Sequence, residues 1–410
     1  MTPRRNRMKF AQSSRLSNLS HEAPGPIAEQ VSRLEAAGHR VIRLDTGDPF
    51  PFGFEAPGEL VRQIAEALPT AAGYSPTKGL LAARNAVVQY YSVRDVPGID
   101  VEHVFLGNGA SELIVMAMTA LLDERDEVLV PAPDFPVWTA AVNVNGGRAV
   151  HYRCDESSDW YPDVADIAAK VTARTRAIVI INPNNPTGAV YPPEVLTGIL
   201  DIAREHNLIV CSDEIYDKIL YDDAVHTTTA SLAPDLLCLT FNGLSKAYRC
   251  AGFRAGWLAV SGPTDHAVSY LDGLTTVAGL RRCANVPGQQ AIQIALEADG
   301  SGHDLTLPAG ALREQRDRAW KALNSIPGVS CVKPRGALYA FPKIDLSVYP
   351  IRDDEQFALD LLLQEKIHII PGTGLSWPDP DHVRIVMLPR ADELQATIGT
   401  IGQFLATYRQ

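Results

Sequence analysis

The sequence predicts an α/β protein: a mostly parallel sheet with helices on both faces, followed by a smaller α+β unit. Three observations carry that prediction. From about residue 101, short β-branched runs alternate with helical stretches, the pattern of strands connected through helices that cover a sheet. From about residue 310 the order changes to helix, short strands, helix, strand and closing helix. The 410 residues, 46% of them hydrophobic, can bury a large core, and this length favours two or three domains.

In chain order, the first dozen residues hold four basic side chains with no apolar run behind them, so they read as a flexible arm rather than a secretory signal. The Pro- and Gly-rich "TGDPFPFGFEAPGE" marks a crossing into the large domain. "VEHVFL" reads as a strand, "SELIVMAMTALL" as a helix and "EVLV" as a strand. "AIVII", "LIVC" and "LLCLTF" are further strands, with "PEVLTGILDIAREHN" a helix among them. Beyond residue 310, "ALREQRDRAWKALNSI" and "DEQFALDLLLQEK" are helices, while "GVSCV", "ALYAFP" and "HVRIVML" are short strands. No segment approaches the roughly 18 continuous apolar residues of a membrane span.

Charge narrows the partners. A net charge of -11 and a pI near 5.4 argue against phosphate-backbone binding, which needs a basic face, so no nucleic-acid partner is expected. The six cysteines show no C-x-x-C pair. They read as buried thiols of a reducing, cytoplasmic setting, with neither a disulfide framework nor a metal site.

Four stretches could carry chemistry. "FLGNGASEL" sets Gly107, Gly109, Ala110 and Ser111 between a strand and a helix, where free N–H groups and the helix dipole favour an anion. A tight turn without a ligand fits the same residues. A dinucleotide fingerprint fits poorly, because Glu112 stands where the third glycine belongs. "INPNNPTG" follows a buried strand and would form an ordered turn at its carboxyl end, where open α/β sheets bind ligands. In "CSDEIYDKILYDD", Asp213 ends an apolar strand, as a ligand-binding acid or as a helix cap. In "FNGLSKAYRCAGFRAGW", Ser245 and Arg254 flank Lys246. Hydroxyl and guanidinium suit a phosphate while the lysine reaches a carbonyl, as in a Schiff base with a phosphorylated aldehyde.

Asn185, Asp213 28 residues on, Tyr216 three further, Lys246 33 after Asp213, and Arg254 form one constellation. With "PFGFEAP", "GNGASELIV", "INPNNPTGAVY", "CANVP" and "GVSCVKPRGALYAFPK", it resembles the fold-type I pyridoxal-phosphate aminotransferases (class I/II) from about residue 11 to the end. Within them it is most similar to bacterial glutamate-pyruvate (alanine) aminotransferases. The resemblance implies a seven-stranded, mostly parallel, aspartate-aminotransferase-like large domain. It divides the chain into an arm with part of the small domain (1–50), the large domain (51–305) and the small C-terminal domain (306–410). It also implies pyridoxal 5'-phosphate as cofactor, an L-amino acid and a 2-oxo acid as substrates, a ping-pong exchange and a homodimer with shared sites.

Residue by residue, the resemblance implies that Lys246 binds the cofactor aldehyde and shuttles a proton. Asp213 pairs with the pyridine nitrogen. Asn185 and Tyr216 bond its ring oxygen, and Phe135 stacks on its face. Ala110, Ser111, Ser245 and Arg254 hold its phosphate, joined by Tyr74 from the neighbouring subunit. Arg384 clamps the substrate carboxylate with Asn185 and Gly47, and His21 lies near the substrate. Four positions depart from the alanine-aminotransferase pattern: His21 and Phe135 replace tyrosines, Pro24 an arginine and Asp48 an asparagine. Losing a cation at 24 and gaining an anion at 48 favours a neutral or cationic side chain. The alternatives to alanine/glutamate exchange are therefore a guanidino-type 2-oxo acid of natural-product biosynthesis, or another reaction of the same cofactor.

Overall fold

The computed structural model describes residues 12–16, 26–298, 306 and 310–410. Residues 1–11 of the expected arm, and the segment holding His21 and Pro24, lie outside the described residues. The strands are β1 (Ile42–Arg43), β2 (Val104–Gly107), β3 (Glu127–Ala132), β4 (Arg148–Asp155), β5 (Tyr161–Pro162), β6 (Thr175–Ile181), β7 (Ile209–Asp213), β8 (Cys238–Gly243), β9 (Gly256–Ser261), β10 (Val329–Ser330), β11 (Tyr339–Ala340), β12 (Lys343–Ile344), β13 (Ile367–His368), β14 (Ile370–Pro371) and β15 (Val383–Val386).

The large sheet runs β2-β9-β8-β7-β6-β3-β4-β5. Its five central strands, β8, β7, β6, β3 and β4, are mutually parallel. β9 runs antiparallel to both β8 and β2, and β5 antiparallel to β4. The sheet is mostly parallel as expected but has eight strands rather than seven. The edge strand β5 is only two residues long, too short to register as an apolar run.

Strand periodicity explains the apolar runs. In β6, Ile178 and Ile180 enter one core cluster while Ala177, Val179 and Ile181 enter the cluster on the opposite face, since successive side chains point to opposite sides. Helices cover both faces, so both sides must be apolar. A third cluster unites Ala319, Phe357, Ile367, Ile385 and Ile398 with Leu44 from the N-terminal part of the chain. There β1 pairs in parallel with β13, Ile42 opposite Ile367 and Arg43 opposite His368. The segment entering the large sheet is thus stitched to the C-terminal unit before it crosses.

Parallel register also aligns the carboxyl ends of the central strands. Ile181 lies opposite Asp213, and Asp213 opposite Phe241. The turn after β6, the acid ending β7 and the Ser-Lys turn after β8 therefore emerge side by side.

Below this edge lies a buried ionic cluster that the sequence pattern did not single out. Glu214 accepts from the Ser212 hydroxyl and the Thr229 amide, each at 2.9 Å, and meets His226 Nε2 at 3.1 Å. Burial works against a charged His226, but the Glu214 carboxylate holds its pKa above the usual value. A histidine raised in the folded state stabilises fully below its unfolded value and loses that contribution as pH rises through the folded one. His226→Phe, which strands a buried carboxylate, is expected to cost about 3 kcal/mol. The deficit is expected to be largest between pH 5 and 6.5 and to shrink at alkaline pH. Denaturant melts across pH measure it, and a deficit flat in pH would reduce His226 to a packing residue.

Candidate active site

One cavity of about 450 Å³ opens at the aligned strand ends, within the size range of small-molecule sites. It is lined by Gly47, Ala110, Ser111, Phe135, Asn185, Asp213, Tyr216, Ser245, Lys246, Arg254 and Arg384. Every described residue expected at the site is therefore brought together, with two exceptions, Tyr74 and Asp48. Tyr74 is 80% exposed on this single chain and does not line the cavity. His21 lies outside the described residues.

At one end, the helix Ala110–Leu121 presents its N-terminus. The turn before it works because Gly109 takes φ 86°, a backbone state L side chains rarely adopt. Glu112 explains the missing third glycine: its carboxylate accepts from the Asn108 amide at 2.7 Å and from Asn108 Nδ2 at 2.9 Å, and pairs with Arg281 at 2.6 Å. It is a capping device. Arg254 faces Gly109, and Ser111 and Ser245 stand alongside, so the cradle offers N–H, hydroxyl and guanidinium donors to a phosphate-sized anion.

In the floor, Asp213 caps no helix; a turn follows it. One oxygen accepts from the Trp138 indole at 3.1 Å, and the other from the Ile215 amide at 3.3 Å. Burial pushes its carboxyl up to about 6, against the pull of these donors and of Lys246. Trp138 escaped the sequence reading, though it sits one helical turn after Phe135. Fully buried, it packs edge-on to Phe241 with ring centroids 5.1 Å apart. Such a carboxylate lacks a directly bonded cation, and a protonated ring nitrogen would supply one.

At the other end lies Arg384, on β15. Nη1 donates to Asn185 Oδ1 at 3.2 Å and Nη2 to the Asp45 carbonyl. Its buried Nε–H has no protein partner, which leaves a donor for a carboxylate. Lys246 Nζ donates to the Gly47 carbonyl at 2.8 Å. Asp45, Thr46, Tyr339, Ile370 and Leu375 also line the cavity. These were missed because short strands and loops give little periodic signal. Asp45 is not free for a ligand. Burial disfavours its charge, yet Arg43 and His368 hold its carboxyl well below the usual range.

The expected anion at position 48 does not face this cavity. Asp48 instead accepts from the Phe50 amide at 3.1 Å, bracing the turn that follows. The guanidino-type alternative loses its described carboxylate.

A cradle for phosphate, a lysine, a buried acid without a bonded cation and a guanidinium with a spare donor could hold a phosphorylated pyridine aldehyde and a carboxylate substrate. The chain belongs to the class I and II aminotransferases, whose sequence model matches residues 40–401. It is a pyridoxal-phosphate enzyme that moves an amino group between an amino acid and a 2-oxo acid. It is similar to the alanine aminotransferase of Mycobacterium tuberculosis, 58% identical over 402 residues, covering 98% of this chain and 94% of that one. To the glutamate-pyruvate aminotransferase of Escherichia coli it is 56% identical over 398 residues, covering 97% and 98%. A crystal structure of an aminotransferase from Escherichia coli superposes with a TM-score of 0.97 at 56% identity, covering 98% and 100%. Among the described residues, no helix is long and apolar enough to cross a membrane.

The raised Asp213 carboxyl gives a test on cofactor-free protein. Its folded state takes up a proton more readily than the unfolded state, so stability falls as pH rises from about 4 to about 6 and stays lower above. Relative to wild type, Asp213→Asn should gain stability across that window, by about 3 kcal/mol at full ionisation, while binding the cofactor more weakly. Thermal melts between pH 4 and 8 provide the check. A stability difference independent of pH would mean that Asp213 is not a desolvated carboxylate.

Proposed function

We propose that the protein exchanges the amino group between L-alanine or L-glutamate and the corresponding 2-oxo acids, in two half-reactions at the cavity described. One observation carries this reading: enzymes bearing alanine and glutamate-pyruvate names are 56–58% identical to the chain over nearly its whole length.

When bound, pyridoxal 5'-phosphate supplies a carbonyl that receives the amino group and a ring that spreads the charge developing at the substrate Cα. The protein's own residues do the rest. Ala110 N–H, Ser111, Ser245 and Arg254 would hold the phosphate, and Phe135 would cover the ring. Asp213 holds the proton on the ring nitrogen, while its other partners, an indole and an amide, can only donate to it. Tyr216 and the Asn185 amide bond the ring oxygen; Asn185 Oδ1 already serves Arg384. Arg384 grips the α-carboxylate with the Gly47 backbone. Lys246 would hold the cofactor's aldehyde and would move a proton at the substrate Cα. Ile370 and Leu375 leave the wall apolar, in keeping with a short side chain.

The half-reactions give the test. With L-alanine, kcat/KM is expected to exceed that for arginine and lysine by roughly thirtyfold or more, since an unpaired buried charge costs about 2 kcal/mol or more. Absorbance of the bound cofactor follows each. Equal or better turnover of basic amino acids would overturn the assignment.

The reading includes a homodimer in which Tyr74 reaches the partner's phosphate cradle. Exposure supports it: Tyr74 lies 80% open and Leu280 84% open, and Arg282 stacks over the Tyr74 ring at 5.3 Å. Large exposed apolar groups of this kind mark interfaces. Mixing inactive Tyr74→Ala and Lys246→Ala subunits should restore up to about a quarter of wild-type activity, because half the dimers are mixed and each mixed dimer holds one undamaged site. If mass spectrometry shows exchanged subunits and no activity returns, the shared site is wrong.

A further inference from the structure

Tyr339 belongs to none of the roles assigned above, yet it touches three of the groups that have one. It lies on β11, is 2% exposed, and pairs with Val386 of β15, two residues from Arg384. Its hydroxyl is 2.7 Å from that of Tyr216, with the two rings edge-to-face at 5.8 Å and 86°. Its ring faces the Arg384 guanidinium at 4.8 Å. The hydroxyl end also presses on Gly47, where a Cβ would sit 2.9 Å from Tyr339 Cζ. Residue 47 has to be glycine for this approach, and its carbonyl is the acceptor for Lys246.

We propose that Tyr339 is a positioning residue that ties the carboxylate-binding guanidinium of Arg384 to the Tyr216 hydroxyl, so that the substrate clamp and the ring-oxygen donor are set together. The proposal rests on the aminotransferase reading above. Two hydroxyls at 2.7 Å share one hydrogen bond, so one proton lies between them and the other is free. When Tyr339 donates, the Tyr216 oxygen is satisfied and its own proton points to the ring oxygen. Without Tyr339, Tyr216 loses the partner that fixes this direction. Burial raises the Tyr216 phenol well above its usual value, which keeps that proton in place. The ring does separate work: its face stabilises the buried guanidinium and sets the position from which the free Nε–H meets a carboxylate.

Two substitutions divide these functions. Tyr339→Phe keeps the ring and removes the hydroxyl. It is expected to lower kcat roughly two- to tenfold with KM nearly unchanged. It should also raise the midpoint of the bound cofactor's visible absorbance against pH, because a donor to the ring oxygen favours the anion there. Tyr216→Phe should move the midpoint in the same direction, and further. Tyr339→Leu removes the ring as well and should raise KM for alanine and pyruvate roughly two- to thirtyfold beyond the Phe variant. A Tyr339→Phe protein that titrates and turns over like wild type overturns the proposal, whether or not the Leu variant folds. So does a folded Leu variant with the KM of the Phe variant. A wild type with no pH-dependent band and no alanine half-reaction would sink the functional reading instead, and the two failures are told apart by that control.

Discussion

The structure turns on one constraint, a carboxylate buried at the end of a parallel strand. Asp213 is 3% exposed, and its two oxygens face an indole and an amide that can give hydrogen bonds but no positive charge. Isolated charge in such surroundings is costly, and the raised carboxyl reflects it. Parallel register places this acid between the turns that follow β6 and β8, so the cation it lacks has to arrive in the cavity those turns enclose. Strand order, buried acid and site location are consequences of one another. The same logic extends one residue further, where Glu214 is neutralised from below by His226 instead of by a ligand from above.

A second dependence runs through the N-terminal crossing. β1 is held by β13, and Arg43 and His368 lock the side chain of Asp45. The backbone beyond is then fixed enough to serve as a ruler. The Asp45 carbonyl takes Arg384, and the Gly47 carbonyl takes Lys246. Those two cations come from the C-terminal unit and the large sheet respectively, so a three-residue stretch sets the spacing between parts of the molecule built on different cores.

Legibility in the sequence followed the strength of local signals. Four of the five central strands were readable because a sheet covered on both faces needs unbroken apolar runs, as in "AIVII" and "LIVC"; β4, "RAVHYRCD", was missed because polar residues interrupt it. The two-residue strands β1, β5, β12, β13 and β14 were not readable, because pairs of residues carry no period, whereas β10 and β11 fall inside the runs "GVSCV" and "ALYAFP". Strand β9, "GWLAVS", was missed although all six residues are buried. The cavity residues Gly47, Asn185, Asp213, Lys246, Arg254 and Arg384 came from motif spacing and resemblance, and the fold collects them in one place. What the sequence could not show was how individual polar groups are used. Asp48 looked like a pocket anion and braces a turn, and Glu112 looked like a broken fingerprint and is a cap. Trp138 and Tyr339 were not singled out and bear on the site. The uses of Trp138 and Tyr339 depend on hydrogen bonds between residues 75 and 123 positions apart, beyond the range of any local pattern.

The three cations of the cavity are tethered to different degrees, and on the proposed reading the degree matches the task. Arg384 is buried, bonded to a side chain and a backbone carbonyl, and backed by an aromatic face; a clamp that must meet a planar carboxylate in one orientation gains from having its rotamer fixed beforehand. Arg254 is exposed, donating to the Ala251 carbonyl at 3.0 Å and the Asn108 carbonyl at 3.4 Å. Phosphate accepts donors from many directions, so backbone and hydroxyl groups share the binding and a loosely held guanidinium suffices. Lys246 bonds the Gly47 carbonyl, a contact that a single side-chain rotation can release. The one cation that has to travel during the reaction is thus held at its tip by a bond that is easily exchanged, while the groups that define its path are held by several.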